Sequence, residues 1–272
     1  MTTQPPLTDL TALAQRRHRA APDALFLHEH ARDEIQDRLG MVNKSFTAPA
    51  LVTDFPGVWS SIWPDGTCLP VTDTLPLGQA AHDLVLHAMA LHWSNDPVGQ
   101  LIQCRRALKS DGLFLSVAYG GQTLQELRAC LGQAEAQVTG GMSPRVAPMA
   151  ELRDMGGLLQ RAGFALPVAD AITQTVSYAD AWALMRDLRA MGEANALTAR
   201  LRHPTKRAVL QTAADLYQSN FGDKQGRITA TFELIFLTGW APDDSQQKPL
   251  RPGSAQQRLA DALKTDETKL RN

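Results

Sequence analysis

From Asp83 onward the chain alternates short, wholly apolar runs with stretches in which apolar residues return every three or four positions. Asp83-Leu-Val-Leu-His87 reads as a buried strand. Pro97–Lys109 reads as a helix, with Pro97 in its first turn and Val98, Leu101, Ile102 and Leu108 on one face. Ser110-Asp-Gly112 ends that helix before a second buried strand, Leu113–Ala118. Further helices are predicted over Thr123–Val138 and Met149–Ala162, the latter capped by Gly163, and a strand around Val168–Val176. Helices near Tyr178–Met191 and Thr205–Ser219 precede a long closing strand, Thr229–Trp240, antiparallel at or next to the sheet edge; its alternating Phe232, Leu234, Phe236 and Thr238 read as core. Upstream, Leu10, Leu13 and Ala14 form a short apolar stripe. Pro22 opens a second helix carrying Ala24, Leu27, Ala31, Ile35 and Leu39, and Pro49–Thr53 is the first strand. Residues 54–80 are irregular.

Strands separated by helices of about 12 residues, without tandem hairpins, predict an α/β fold with a mostly parallel, doubly wound sheet. The expected organisation is N-terminal helices over 1–45, an α/β core over 46–177, a helical insertion over 178–227, the closing strand over 228–240 and a polar tail over 241–272. Within that tail a short helix is expected near Arg258–Leu263.

The 272 residues suffice for one large α/β domain and its core. Net charge is −1, which argues against nucleic acid or an anionic membrane as the partner. No apolar run approaches the ~20 residues that span a bilayer. Cys68, Cys104 and Cys130 form no C-x-x-C pair, which fits a reducing compartment without structural zinc. The first residues lack the order of a secretory signal. The basic cluster Arg16-Arg17-His18-Arg19 reads as a solvated helix end or as a weak organelle address.

Several loop words narrow the fold. Ala90-Leu-His-Trp93, Gly120-Gly-Gln-Thr-Leu-Gln-Glu-Leu-Arg128, Gly140-Gly-Met-Ser-Pro-Arg145, Leu158–Gly163, Leu184–Asn195 and Ala230–Trp240 occur in one order over residues 80–255. In these the chain resembles the class I methyltransferase-like arginine hydroxylases that assist assembly of respiratory complex I. These are relatives of the malonyl-carrier-protein methyltransferase of biotin synthesis. The resemblance implies a seven-stranded class I S-adenosylmethionine-dependent methyltransferase fold, Rossmann-like, with an antiparallel last strand. It further implies action on, or binding to, a complex I subunit, by arginine hydroxylation or methyl transfer. The implied location is the cytoplasm, or the mitochondrial matrix of a eukaryote. A methyltransferase acting on a small or carrier-bound substrate, and a non-catalytic binding module, stand as alternatives.

One stretch departs from the family. Where relatives carry an aspartate-leucine-glycine-x-glycine turn, this chain reads Ala50-Leu-Val-Thr-Asp-Phe-Pro-Gly-Val-Trp59. The span from there to Trp93 is roughly twenty to thirty residues shorter than the family's, in the region where glycines admit the cofactor backbone and a carboxylate holds its ribose. The residues left for S-adenosylmethionine are Asp54, Gly57 and Asp73. Asp73 matches either the adenine-binding aspartate or a displaced ribose carboxylate.

Open α/β sheets bind ligands at the carboxyl edge of their strands. His92 and Trp93 follow a strand there. His92 can relay a proton or cap a turn, and Trp93 can face substrate or pack a loop. Gly120 and Gly121 can present N–H groups ahead of Thr123 as helix cap, or form a turn that needs positive φ. Ser143 and Arg145 sit in a loop that reads as a substrate-facing lid. Arg186, Arg189 and Glu193 are spaced as a surface ion-pair face or as a wall that recognises a protein substrate. His82, His87 and His92, five apart, and His28 with His30 lack metal-ligand spacing, so no metal is expected.

Overall fold

The computed structural model describes residues 5–247. Its elements are α1 (Leu10–Arg17), α2 (Phe26–Gly40), β1 (Pro49–Val52), α3 (Pro56–Trp59), β2 (Thr67–Leu69), β3 (His82–Ala88), α4 (Pro97–Ala107) and β4 (Leu108–Tyr119). They continue with α5 (Gln125–Thr139), α6 (Leu152–Ala162), β5 (Ala165–Tyr178), α7 (Ala181–Ala190), α8 (Arg207–Phe221) and β6 (Ile228–Trp240). The sheet order is β2-β1-β3-β4-β6-β5. β2, β1, β3 and β4 pair in parallel, and β6 runs antiparallel to both β4 and β5.

Both faces of the central strands are covered, and the alternation of their side chains separates two cores. Leu84, Leu86, Leu113, Leu115, Phe232 and Leu234 pack against α2, α5, α7 and α8. Val85, Phe114, Ala118, Ile235 and Leu237 pack against α4 and α6. The apolar runs of β3 and β4 thus reflect burial on two sides rather than one.

Among the described residues the sheet has six strands, not the seven that the resemblance implies. The missing strand falls where the chain is short. Between β1 and β3 there is room only for α3 and the three residues of β2, which becomes the edge. Pro56 occupies the first turn of α3, a position where its missing N–H costs nothing.

Other boundaries move for local reasons. α4 stops at Ala107, because Leu108 already pairs with His82, while Leu84 pairs with Leu113. Residues 109–112 therefore bulge out of the ladder, with Asp111 at φ 55°. Pro22 opens a separate 3-10 turn, Pro22–Ala24, before α2. α6 begins at Leu152, not Met149, and Gly163 caps it at φ 81° as expected. Thr123 does not cap α5. The cap residue is Leu124, and the Thr123 hydroxyl instead donates to Glu233 O and accepts from Glu233 N, stitching the loop to β6. Residues from Asp243 form a separate unit, of which Asp243–Gln246 is a turn. The helix expected near Arg258–Leu263 lies outside the described residues.

Candidate functional site

Two cavities open at the carboxyl edge of the sheet. The first, about 400 Å³, is a crevice between α1 and the ends of β1 and β3. Its lining includes Leu13, Arg17, Asp54, Asp73, Trp93 and Gln100. The second, about 510 Å³, lies between the end of β4, α5, α7 and α8. It is mostly apolar, with Tyr119, Leu127, Arg145, Trp182, Arg186 and Glu193 in its wall. Trp93 borders both.

The wall between the cavities is an ionic knot centred on Arg17, whose basic cluster reads in the sequence as a solvated helix end. Its side chain is 3% exposed. The guanidinium donates to Asp54 Oδ2 at 2.6 Å, to Glu193 Oε1 at 3.2 Å and to Met89 O at 3.2 Å. Asp54 spends its other oxygen on Val71 N–H at 3.0 Å. Met89 has φ 51°, a left-handed conformation costing about 1 kcal/mol for a side-chain-bearing residue, and its carbonyl accepts from Arg17. The sequence does carry a signal for Arg17. It continues the stripe of Leu10, Leu13 and Ala14 at helical spacing, and all four line the crevice.

Glu193 follows α7, past a turn at Gly192 with φ 78°. Burial alone would raise its pKa. Arg17, His92 and the Trp93 indole N–H, at 2.6 Å, outweigh that and hold the carboxyl far below the ordinary range. Glu193 thus pairs with Arg17, not with Arg186 or Arg189 as a surface ion-pair face would have it. His92 lines neither cavity. Its Nδ1 accepts from Tyr119 N–H at 3.4 Å, so the neutral ring carries its proton on Nε2, which points to Glu193 at 3.6 Å. Burial lowers its pKa despite the pull of Glu193, and at neutral pH the ring is uncharged. It lies beside Glu193, which Arg17 and the Trp93 indole hold, and it touches no open space.

Gly120 and Gly121 line neither cavity. The Gly120 N–H is taken by Glu233 O at 2.9 Å, and neither residue has positive φ. Gly120 is small because a Cβ there would lie against the Glu233 carboxylate and 2.7 Å from Ile235 Cδ1. At Gly121 a Cβ would meet closely only the end of the exposed Glu151 side chain, which can swing aside. Nor is the loop ending in Arg145 free to act as a lid. Glu135 of α5 accepts from Ser143 N–H at 3.0 Å, Ser143 Oγ at 2.8 Å, and Arg145 Nε at 3.1 Å and Nη2 at 2.7 Å. Arg145 Nη1 donates to Thr205 Oγ1. Ser143 is consumed by this clasp, while Arg145 still borders the apolar cavity.

Arg145 holds the Glu135 carboxyl down at about 2, against an ordinary value of 4.5. A depressed carboxylate stabilises the fold above its unfolded pKa, and that contribution is lost as pH falls through the folded value. Wild-type stability is therefore expected to drop between about pH 4.5 and about pH 2, and Arg145→Gln to flatten that limb in chemical denaturation. An unchanged slope in the variant would contradict the assignment.

S-Adenosylmethionine asks three things of such a crevice: backbone approach at glycines, a carboxylate for the ribose diol, and tolerance of a sulfonium charge. Gly57 is exposed on α3, and a Cβ added to it would meet nothing within 4 Å, so no close approach is prepared there. Both Asp54 oxygens are engaged. β2 ends at Leu69-Pro70 without a carboxylate, and Asp73 is exposed beyond it. The guanidinium in the crevice is bound to Asp54 and Glu193, so it engages the carboxylates a ligand there would need. These residues do not fit the cofactor. No cluster of His, Cys, Asp and Glu able to hold a metal occurs among the described residues.

A protein-family profile described as a methyltransferase domain matches residues 61–116. The arginine-hydroxylase NDUFAF5, mitochondrial, of Danio rerio is 39% identical over 190 residues, 70% of this chain and 59% of that protein. A malonyl-[acyl-carrier protein] O-methyltransferase of Methylovorus is 35% identical over 204 residues, 75% of this chain and 65% of that protein. The chain therefore spans about three-fifths of the curated relatives it matches. Among solved structures, the YcgJ protein of Bacillus subtilis superposes with TM-score 0.49 at 12% identity, over 79% of this chain and 99% of that one. The sequence relatives and the sheet order agree: the chain has a mostly parallel, Rossmann-like methyltransferase fold, carries a methyltransferase-domain match over residues 61–116, and is similar in sequence to the NDUFAF5 arginine hydroxylases and the malonyl-carrier-protein methyltransferases.

Proposed function

We propose that this protein engages a subunit of respiratory complex I through the apolar cavity and serves assembly of that complex, without loading S-adenosylmethionine. One observation carries the reading: the apolar cavity is built and open, while in the crevice beside it Asp54 already spends both oxygens, on Arg17 and on the Val71 N–H. The likeness to the arginine hydroxylases supplies the partner class. In this reading Trp93, Arg145 and Arg186 meet the partner, and Glu193, held by Arg17 and the Trp93 indole, sets the charge at the wall. The compartment follows the partner: the bacterial cytoplasm, or the matrix for a mitochondrial member. Among the described residues no helix is long and apolar enough to cross a membrane.

A strain lacking the gene is expected to accumulate less assembled complex I. Wild type and Asp73→Ala should restore it, and Trp93→Ala should not. Normal assembly in the deletion strain would refute the reading.

The second reading is methyl transfer to a carrier-bound substrate. It is favoured by the Methylovorus relative and by the size of the crevice that Asp54 and Asp73 line. Calorimetric titration separates the two. We expect no heat and no rise in melting temperature at millimolar S-adenosylmethionine, whereas a micromolar Kd would establish the methyltransferase.

A further inference from the structure

We infer that the mouth of the apolar cavity, from α7 to the start of α8, is a docking surface for an acidic peptide segment of the partner protein. The segment would insert one long side chain with a polar tip into the cavity. This deepens the proposed function, naming the chemistry of the segment that the cavity receives.

The first support is charge. Arg186 and Arg189 are exposed at the cavity and pair with no acid among the described residues. Lys206 and Arg207 follow the lining residue Thr205 and are likewise exposed and unpaired. The acidic residues of this stretch are already committed: Asp187 accepts from the Tyr178 hydroxyl at 2.7 Å, and Glu193 is held by Arg17 and Trp93. In a chain of net charge −1, this leaves a locally cationic rim.

The second support is the start of α8. No side chain caps it; its N-cap residue is Lys206 and its first residue Arg207, where the helix dipole already presents positive charge. Cations there are unfavourable unless an anion is expected. Both features ask for carboxylates from outside.

The third comes from inside. Tyr119 lines the cavity and is 3% exposed, yet its hydroxyl has no hydrogen-bond partner. A buried unpaired hydroxyl is costly, and a polar tip arriving from the mouth would satisfy it. The cavity walls include Trp182, Met185, Leu127 and Leu210, which suit an apolar stem.

The probe is a dye-labelled heptapeptide with a glutamate pair at each end of a leucine-glutamine-leucine centre, followed by fluorescence anisotropy on the intact chain. The acidic peptide is expected to bind, and the same peptide with lysine for glutamate is not. Its Kd should rise at least tenfold between about 50 and 300 mM salt. Arg186→Glu with Arg189→Glu should weaken it at least tenfold. Arg161→Glu on α6, across the sheet, should leave it unchanged, and Tyr119→Phe should weaken it several-fold with the circular dichroism spectrum intact.

Equal affinity for the lysine peptide, or no loss in the double variant, overturns the inference. So does tighter binding to single-stranded DNA or to anionic phosphatidylglycerol vesicles. The two readings fail separately. A deletion strain with normal complex I refutes the assembly role even if the peptide binds. A double variant that fully restores assembly refutes the docking surface alone.

Discussion

Replacing Arg17 with methionine is expected to lower the melting temperature by about 10 °C near pH 8, and by much less near pH 5. The size follows from what is left behind. Removing one partner of a buried ion pair costs about 3–5 kcal/mol, because the other charge stays buried without compensation. Glu193 is 6% exposed at its side chain, and Arg17 is its main countercharge. In the wild type, the depressed Glu193 pKa contributes stability above the unfolded value, lost as pH falls through the folded one. In the variant, burial dominates and lifts the pKa above the unfolded value. Stability then falls as pH rises through that window, so the penalty grows with pH. Arg17→Lys should recover part of the loss, since it restores the charge but not the three-way fork. Thermal unfolding of the three proteins between about pH 5 and pH 8 reads this directly; a penalty that does not change with pH would show that Glu193 is not the group left stranded. Arg17→Met is also expected not to gain S-adenosylmethionine affinity, because Asp54 still spends one oxygen on the Val71 N–H.

Trp59→Ala should cost about 3–5 kcal/mol, the range for emptying a buried aromatic site. Trp59 is fully buried and anchors α3, the short element that stands in place of the family's glycine-rich turn. Its indole donates to His28 Nδ1 at 3.1 Å, and His28 also meets the Phe55 ring edge at 4.4 Å between centroids. Burial drives the His28 pKa from 6.5 to about 3. His87, hydrogen-bonded to Gln100 at 2.8 Å, is driven from 6.5 to about 4 by its burial. Both rings fold neutral, so they add stability above pH 6.5 that is lost as pH falls through the folded values. Wild-type stability should therefore decline between about pH 6.5 and pH 4, by up to about 1.4 kcal/mol per pH unit for each ring. His28→Gln should reduce that slope, leaving what His87 and the likewise buried His92 contribute, and an unaltered slope would assign the titration elsewhere. Trp59→Phe should be milder than Trp59→Ala, since it keeps most of the volume and loses only the donor to His28.

Much of the fold was legible in the sequence, and the reason lies in particular residues. β3, α4 and β4 were readable because Leu84, Val85 and Leu86 are buried on both faces and Pro97 marks a helix start. The ends of those elements were less so. The register of β3 against β4 pulls Leu108 into the sheet and throws 109–112 out, which no helix signal foretells. Of the candidate site residues, Trp93, Arg145, Arg186 and Glu193 gather at one cavity, and Asp54 with Asp73 at the other. His92, Gly57, Gly120, Gly121 and Ser143 reach neither.

Local pattern was enough to specify the layered α/β architecture, since apolar period acts over a few neighbouring residues, and the resemblance to the family located the shortened cofactor segment. Which charges meet was settled only when the chain closed. Arg17 finds Glu193 across 176 positions and Asp54 across 37, at distances of 3.2 and 2.6 Å. Ion pairing depends on separation in space and on the exclusion of water, and neither is written in the spacing of residues along a chain.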